Sequence, residues 1–130
     1  WLAELEERLM EEVLGAPPDG QPQTFDDQYI STGGQLYELM TGRDRFNADL
    51  RPLAHAVLHP GAVPRLCAHP YDLCTELIAR EAGVLVTDEN GVPLAAPLDV
   101  NTPISWIGYA NAEIKAQIEP VLLRLLRECR

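Results

Sequence analysis

Basic residues are scarce in this chain. Ten Lys and Arg stand against twenty Asp and Glu, for a formal net charge of −10. That balance argues against sequence-independent nucleic-acid binding, which needs a basic footprint. It argues equally against anionic membrane surfaces. Long apolar runs are missing too, and no stretch approaches the roughly eighteen residues of a membrane span. The chain opens on Trp1 followed by acids instead of a basic n-region, so no signal peptide is expected. It also has no initiator methionine, and the expectation is a piece of something longer.

Cysteine is limited to Cys67, Cys74 and Cys129. An odd, irregularly spaced set does not read as a disulfide framework. It points to a reducing compartment and a cytoplasmic location. Cys67, His69 and Cys74 lie close in sequence, but their spacing fits no zinc finger or ribbon and no second pair stands nearby. Cys74 is expected to be a small buried hydrophobe on a helix.

What is present suits one globular domain: 130 residues, 46% of them hydrophobic. Residues 2 to 14 read as an amphipathic helix with Leu2, Leu5, Leu9 and Val13 on one stripe and Gly15 as its stop. A Pro- and Gly-rich loop follows at 16 to 23. Residues 1–24 are therefore set apart from a main unit at 25–130. Ser31-Thr32-Gly33-Gly34 leads into a short helix, 34 to 41, closed by Gly42. Such a turn offers free N–H groups and the positive end of the helix dipole, which suits an anion or simply a capped helix. A strand is expected within 43 to 50, a helix at 52 to 58 with Asp49 as cap, and a short strand at 65 to 68.

The stretch from His69 to Gly91 carries the densest local signals. Pro70 and Asp72 mark a helix start. Leu73, Leu77, Ile78 and Ala82 fall on one face, and Gly83 stops the helix. Val84 to Val86 suit a buried strand. Asn90-Gly91 is a hairpin turn signal that brings Val92 to Leu94 back as an edge strand. Ile104 to Ala110 reads as a second buried strand. Asn111 caps a last helix, 112 to 128, in which Pro120 predicts a kink or restart. The alternation of helix and strand predicts an α/β domain, a layered mixed sheet flanked by helices. Tyr71 and Trp106 are expected in the core, and His69 as a solvated loop residue.

His69-Pro70-Tyr71-Asp72-Leu73, followed by Glu81-Ala82-Gly83 and Val84 to Asp88 with Gly91, resembles the C-terminal signature of the inositol monophosphatase and fructose bisphosphatase superfamily. Ser31 to Phe46 is similar to that family's Gly-Ser-Ala-Ala helix and the strand after it, and Ile104 to Asn111 to its late strand and final helix. The resemblance covers roughly 25 to 128. It implies the C-terminal domain of a magnesium-dependent phosphomonoesterase acting on a small sugar or inositol phosphate. Asp72 would then bind one catalytic metal, a hard oxygen ligand for an ion that keeps positions open for water and phosphate. Ser31 and Thr32 would lie beside the substrate, and Arg65 would contact phosphate, where bidentate pairing offsets the acidic background.

The chain departs from the family at Tyr71, where a tryptophan is usual, and at Cys74-Thr75-Glu76, where Ala-Ala-Gly is usual. It is one residue shorter between Asp72 and Glu81. The Asp-Pro-x-Asp-Gly-Thr motif that carries the other metal ligands is absent, and Asp26-Asp27 lacks its context. No catalytic residue is therefore assigned within these 130 residues, and the chain alone is expected to be inactive. A second reading stays open: a non-catalytic domain keeping the fold for small-molecule binding or subunit contact. A domain parted from its other half would expose an apolar face, which a homodimer would cover.

Overall fold

The computed structural model describes residues 1–18, 24, 31–64 and 66–129. The chain runs α1 (Leu2–Leu14), α2 (Thr32–Thr41), β1 (Phe46–Asp49), α3 (Arg51–Leu58), a 3-10 turn (Pro70–Leu73), α4 (Glu76–Glu81), β2 (Leu85–Thr87), β3 (Trp106–Tyr109) and α5 (Ala112–Cys129). It is an α/β architecture. The strands pair in the order β1-β3-β2. Phe46 faces Tyr109 and Asp49 faces Trp106 on one side of β3; Leu85 faces Tyr109 and Thr87 faces Ile107 on the other.

Both pairings are antiparallel, which corrects the expectation of a mixed sheet. The reason is the position of β3. It lies between β1 and β2 and opposes both, so those two strands share a direction without touching. The expected return strand after Asn90-Gly91 is reduced to a bridge between Thr87 and Pro93. Asp88 N–H donates to the Val92 carbonyl at 2.9 Å and Leu94 N–H to that of Val86 at 3.2 Å, while Pro93 has no N–H to extend the ladder.

Period-2 alternation along the sheet separates two cores. Ile107 and Tyr109 pack with Leu5 and Leu9 of α1 and with Ile118, Leu122, Leu125 and Leu126 of α5. Trp106 and Val86 turn to the other face, against Leu36 and Leu39 of α2 and Ala79 of α4. The result is helix pair, sheet, helix pair. Docking α1 buries Leu5 and Leu9, about 1.5–3 kcal/mol apiece. At its surface Arg8 pairs with Glu128 at 2.7 Å and Arg124 with Glu12; these exposed pairs orient the helix more than they stabilise it.

Several local expectations change in the structure. Residues 73 to 82 do not make one helix. The 3-10 turn advances about 120° per residue, so the helical phase is lost before α4 begins. Leu73 and Ala79 therefore face inward, while Leu77 and Ile78 are exposed. Cys74, at the break, is exposed, and the buried cysteine is Cys67. Tyr71 is exposed as well, whereas Trp106 is fully buried as expected. Helix α5 continues through Pro120 without restarting, held on both sides of the proline by Ile118 and Leu122. Asn111 caps it, its side-chain oxygen accepting from Ile114 N–H at 2.9 Å.

Tyr109 gives a test of the first core. Burial, with help from the Glu119 carboxylate, pushes its phenol above the ordinary 10.0. A raised folded value means the fold favours the protonated phenol. Its contribution is complete below the unfolded value and is lost as pH rises past it toward the folded value. Urea denaturation between about pH 8 and about pH 11 should show stability falling at the alkaline end, with a shallower fall in Tyr109→Phe. An equal fall in both proteins would contradict this.

Candidate functional site

Of the residues singled out by sequence, Ser31 and Thr32 stand at the start of α2 and Asp72 in the 3-10 turn against which α2 packs. Ser31 caps α2: its hydroxyl oxygen accepts from Gly34 N–H at 3.1 Å and its carbonyl from Gln35 N–H at 3.3 Å. Thr32 is the first helical residue. The helix packs on the 3-10 turn and on α4. Gly33 makes the approach close, since a Cβ there would stand 3.5 Å from the Thr75 hydroxyl oxygen. Thr75 lies three residues after Asp72, so the expected anion-facing helix end and the expected metal ligand share one neighbourhood. Arg65 lies outside the described residues, as do Asp26 and Asp27.

Asp72 sits in the 3-10 turn with one oxygen already engaged. Its Oδ2 accepts from His69 N–H at 2.8 Å and lies 3.6 Å from His69 Nδ1. Its Oδ1 has no hydrogen bond among the described residues. The His69 ring is stacked on Tyr71, with centroids 5.7 Å apart and planes within 5°. On its other side His69 Nε2 is 3.9 Å from Cys67 Sγ. Sequence reasoning placed His69 in solvent; in the structure it is wedged between a thiol, a ring and a carboxylate. Burial and the carboxylates of Asp49 and Asp72 push the Cys67 thiol up, with Arg51 opposing. It is a poor nucleophile.

Asp49 and Arg51 were missed as site residues. Asp49, expected as the helix cap, instead ends β1, and the cap position of α3 is Leu50 with no side-chain cap bond; Asp49 Oδ1 does accept from Arg51 N–H at 3.1 Å. It takes the Arg51 fork at 2.8 Å on Oδ1 and 2.6 Å on Oδ2, and Oδ2 also accepts from Ala68 N–H at 3.1 Å. Ala68 O in turn accepts from Ile104 N–H at 2.8 Å. One buried carboxylate thereby fixes the approach to the 3-10 turn. The Asp49 hydrogen bonds, and then its charge, raise Arg51 above its ordinary value; Cys67 and Asp72 add smaller contributions. The available signal was an Asp-x-Arg pair at a strand-to-helix junction, where β1 ends at Asp49 and α3 begins at Arg51.

No family model, curated protein or solved structure matches the chain.

The chemistry must therefore be read from the donors themselves. Among the described residues no three or more His, Cys, Asp or Glu side chains are grouped so as to hold a metal ion. Asp49 is saturated by Arg51 and Ala68. Asp72 keeps one oxygen anchored by His69 N–H and the other without a hydrogen bond among the described residues; a hard cation there would have to take its remaining ligands from water, phosphate or another segment. No helix among the described residues is long and apolar enough to cross a membrane.

Proposed function

We propose that this chain is the C-terminal part of a magnesium-dependent phosphomonoesterase for a small phosphorylated sugar or inositol, supplying one metal ligand and part of the substrate pocket. The observation that carries the reading is Asp72. Its carboxylate is held by one oxygen on a short turn packed against α2, with the other oxygen without a hydrogen bond among the described residues. Ser31, Thr32 and the N–H groups behind them would take the phosphate side. When bound, magnesium would polarise the phosphoryl oxygens and activate water. Asp72 would hold the ion, and Asp49 would keep the turn in register through Ala68.

The lack, among the described residues, of a group of three or more metal-ligating side chains favours a division of labour, with the remaining ligands on a separate segment. It is also the observation behind the second reading, a non-catalytic domain of the same fold that binds a small molecule or another subunit. Calorimetric titration of magnesium or manganese, with inorganic phosphate present, separates the two. The phosphatase reading expects measurable binding to the wild type, weakened about tenfold or more in Asp72→Asn, together with no enzyme-like turnover of a sugar phosphate by the chain alone. Metal binding that survives Asp72→Asn unchanged would remove Asp72 from the site. Rapid turnover by the isolated chain would overturn the shared-site reading.

A further inference from the structure

Helix α3 carries a pair of histidines that the Asp72 site does not use. The helix spans Arg51–Leu58, and His59 is its C-cap, one turn after His55. The last turn fixes their relation: His59 N–H donates to the His55 carbonyl at 2.8 Å. Residues four apart on a helix stand one above the other on one face. The two rings accordingly meet, with centroids 5.1 Å apart and planes tilted by 56°. His55 Nδ1 is closed to solvent, which leaves Nε2 as the nitrogen open to a ligand. His59 is exposed. Arg51 stands one turn earlier on the same face, but its guanidinium is turned onto the Asp49 carboxylate at 2.8 Å and 2.6 Å. The one cation that would oppose a second beside it is thereby offset.

The ring separation suits one shared metal ion. A zinc–imidazole bond of about 2.0–2.1 Å would put the metal about 3.2 Å from each ring centre. Two centres 5.1 Å apart then subtend about 105° at the metal, near the tetrahedral angle zinc prefers. Histidines at this spacing are the way one helix face offers two ligands to zinc. Imidazole is a donor for zinc, copper and nickel, whereas magnesium takes oxygen. Among the described residues no third His, Cys, Asp or Glu completes a group with the pair, so water would fill the other positions.

We infer that His55 and His59 form a two-ligand site for a divalent transition-metal ion. The ion would bridge the last turn of α3 and keep its remaining positions open to water. With two protein ligands in place of four, it is held more weakly than the zinc of a closed structural site. It would also clamp a helix end that otherwise frays. The inference is independent of the Asp72 reading, which concerns a carboxylate and a hard cation, and either can fail without the other.

The experiment is a zinc titration followed by the imidazole nitrogen signals in NMR. It is run on Cys74→Ser/Cys129→Ser, because these two thiols are not buried and would compete for the metal. The inference expects the His55 and His59 ring signals to move together and to saturate at one ion per chain, with amide exchange at His59 slowed. Magnesium at the same concentration should move neither ring. In His59→Ala the affinity for zinc should fall about tenfold or more. His59 is exposed at the end of its helix, so this variant removes a ligand without removing core packing. Zinc that moves neither ring, that moves His59 while His55 stays fixed, or that binds His59→Ala with unchanged affinity would overturn the inference and leave the pair as a plain ring contact.

Discussion

Replacing Asp49 by alanine is expected to cost about 2–4 kcal/mol of folding stability, read as a lower urea midpoint at unchanged slope. The carboxylate is 6% exposed and accepts from Arg51 N, Arg51 Nε, Arg51 Nη2 and Ala68 N. Truncation would leave the buried Ala68 N–H without an acceptor and release the Arg51 fork. Hydrogen bonds to a charged group are worth more than neutral ones, and a donor stranded in the interior carries its full desolvation cost. Arg51 can turn its partly exposed guanidinium to water, which keeps the loss below that of breaking a fully buried ion pair. Asp49→Asn should retain one carbonyl acceptor and lose roughly half as much. If the Asn variant were as stable as the wild type, the charge and the second acceptor oxygen would be irrelevant; if it were no more stable than Ala, the retained carbonyl would contribute nothing. The Ala variant should also loosen the segment from Cys67 to Asp72, visible as faster amide exchange at Ala68 and His69.

Gly108→Ala is the second large effect, at about 1–3 kcal/mol. Gly108 is the position on β3 that faces α2. An added Cβ would lie 2.6 Å from Leu39 Cδ1 and 2.9 Å from Trp106 Cζ3. A flexible side chain can usually yield to such a contact, but Leu39 is 1% exposed and Trp106 0%, so neither has room to move into. The strand must shift or the helix must lift. The pair should therefore be strongly coupled. In a Leu39→Ala background the cost of Gly108→Ala should fall by about 1 kcal/mol or more, because the first contact is gone. Strict additivity in that cycle would mean the strain comes from the backbone instead.

These two positions show where sequence reading reached and where it stopped. The bounds of α1, the glycine stop after α2, the buried Trp106 and the Asn111 cap were all readable, because each depends on a local pattern. Leu77 and Ile78 misled for a physical reason: a short 3-10 turn inserted before α4 breaks the phase on which a helical stripe depends. Cys74 followed the same error, leaving Cys67 as the buried thiol. The sheet direction could not be read, since only the placement of β3 between its neighbours decides it. Asp49 was expected to cap α3, a position Leu50 takes, and its bond to Ala68, 19 residues away, has no local signal.

The central strand of this sheet is also the last one made. During synthesis β1 emerges some sixty residues, and β2 about twenty, before β3, yet neither strand hydrogen-bonds to the other. Until Trp106 to Tyr109 leave the ribosome, both early strands carry unsatisfied edges, α2 and α4 lack their floor, and α1 lacks both its floor and its partner α5. Assembly must therefore be late and concerted, with loop closure over long separations preceding any reward from strand pairing. A nascent chain stalled just short of residue 106 would present exposed strand edges and apolar helix faces to whatever chaperone stands at the exit.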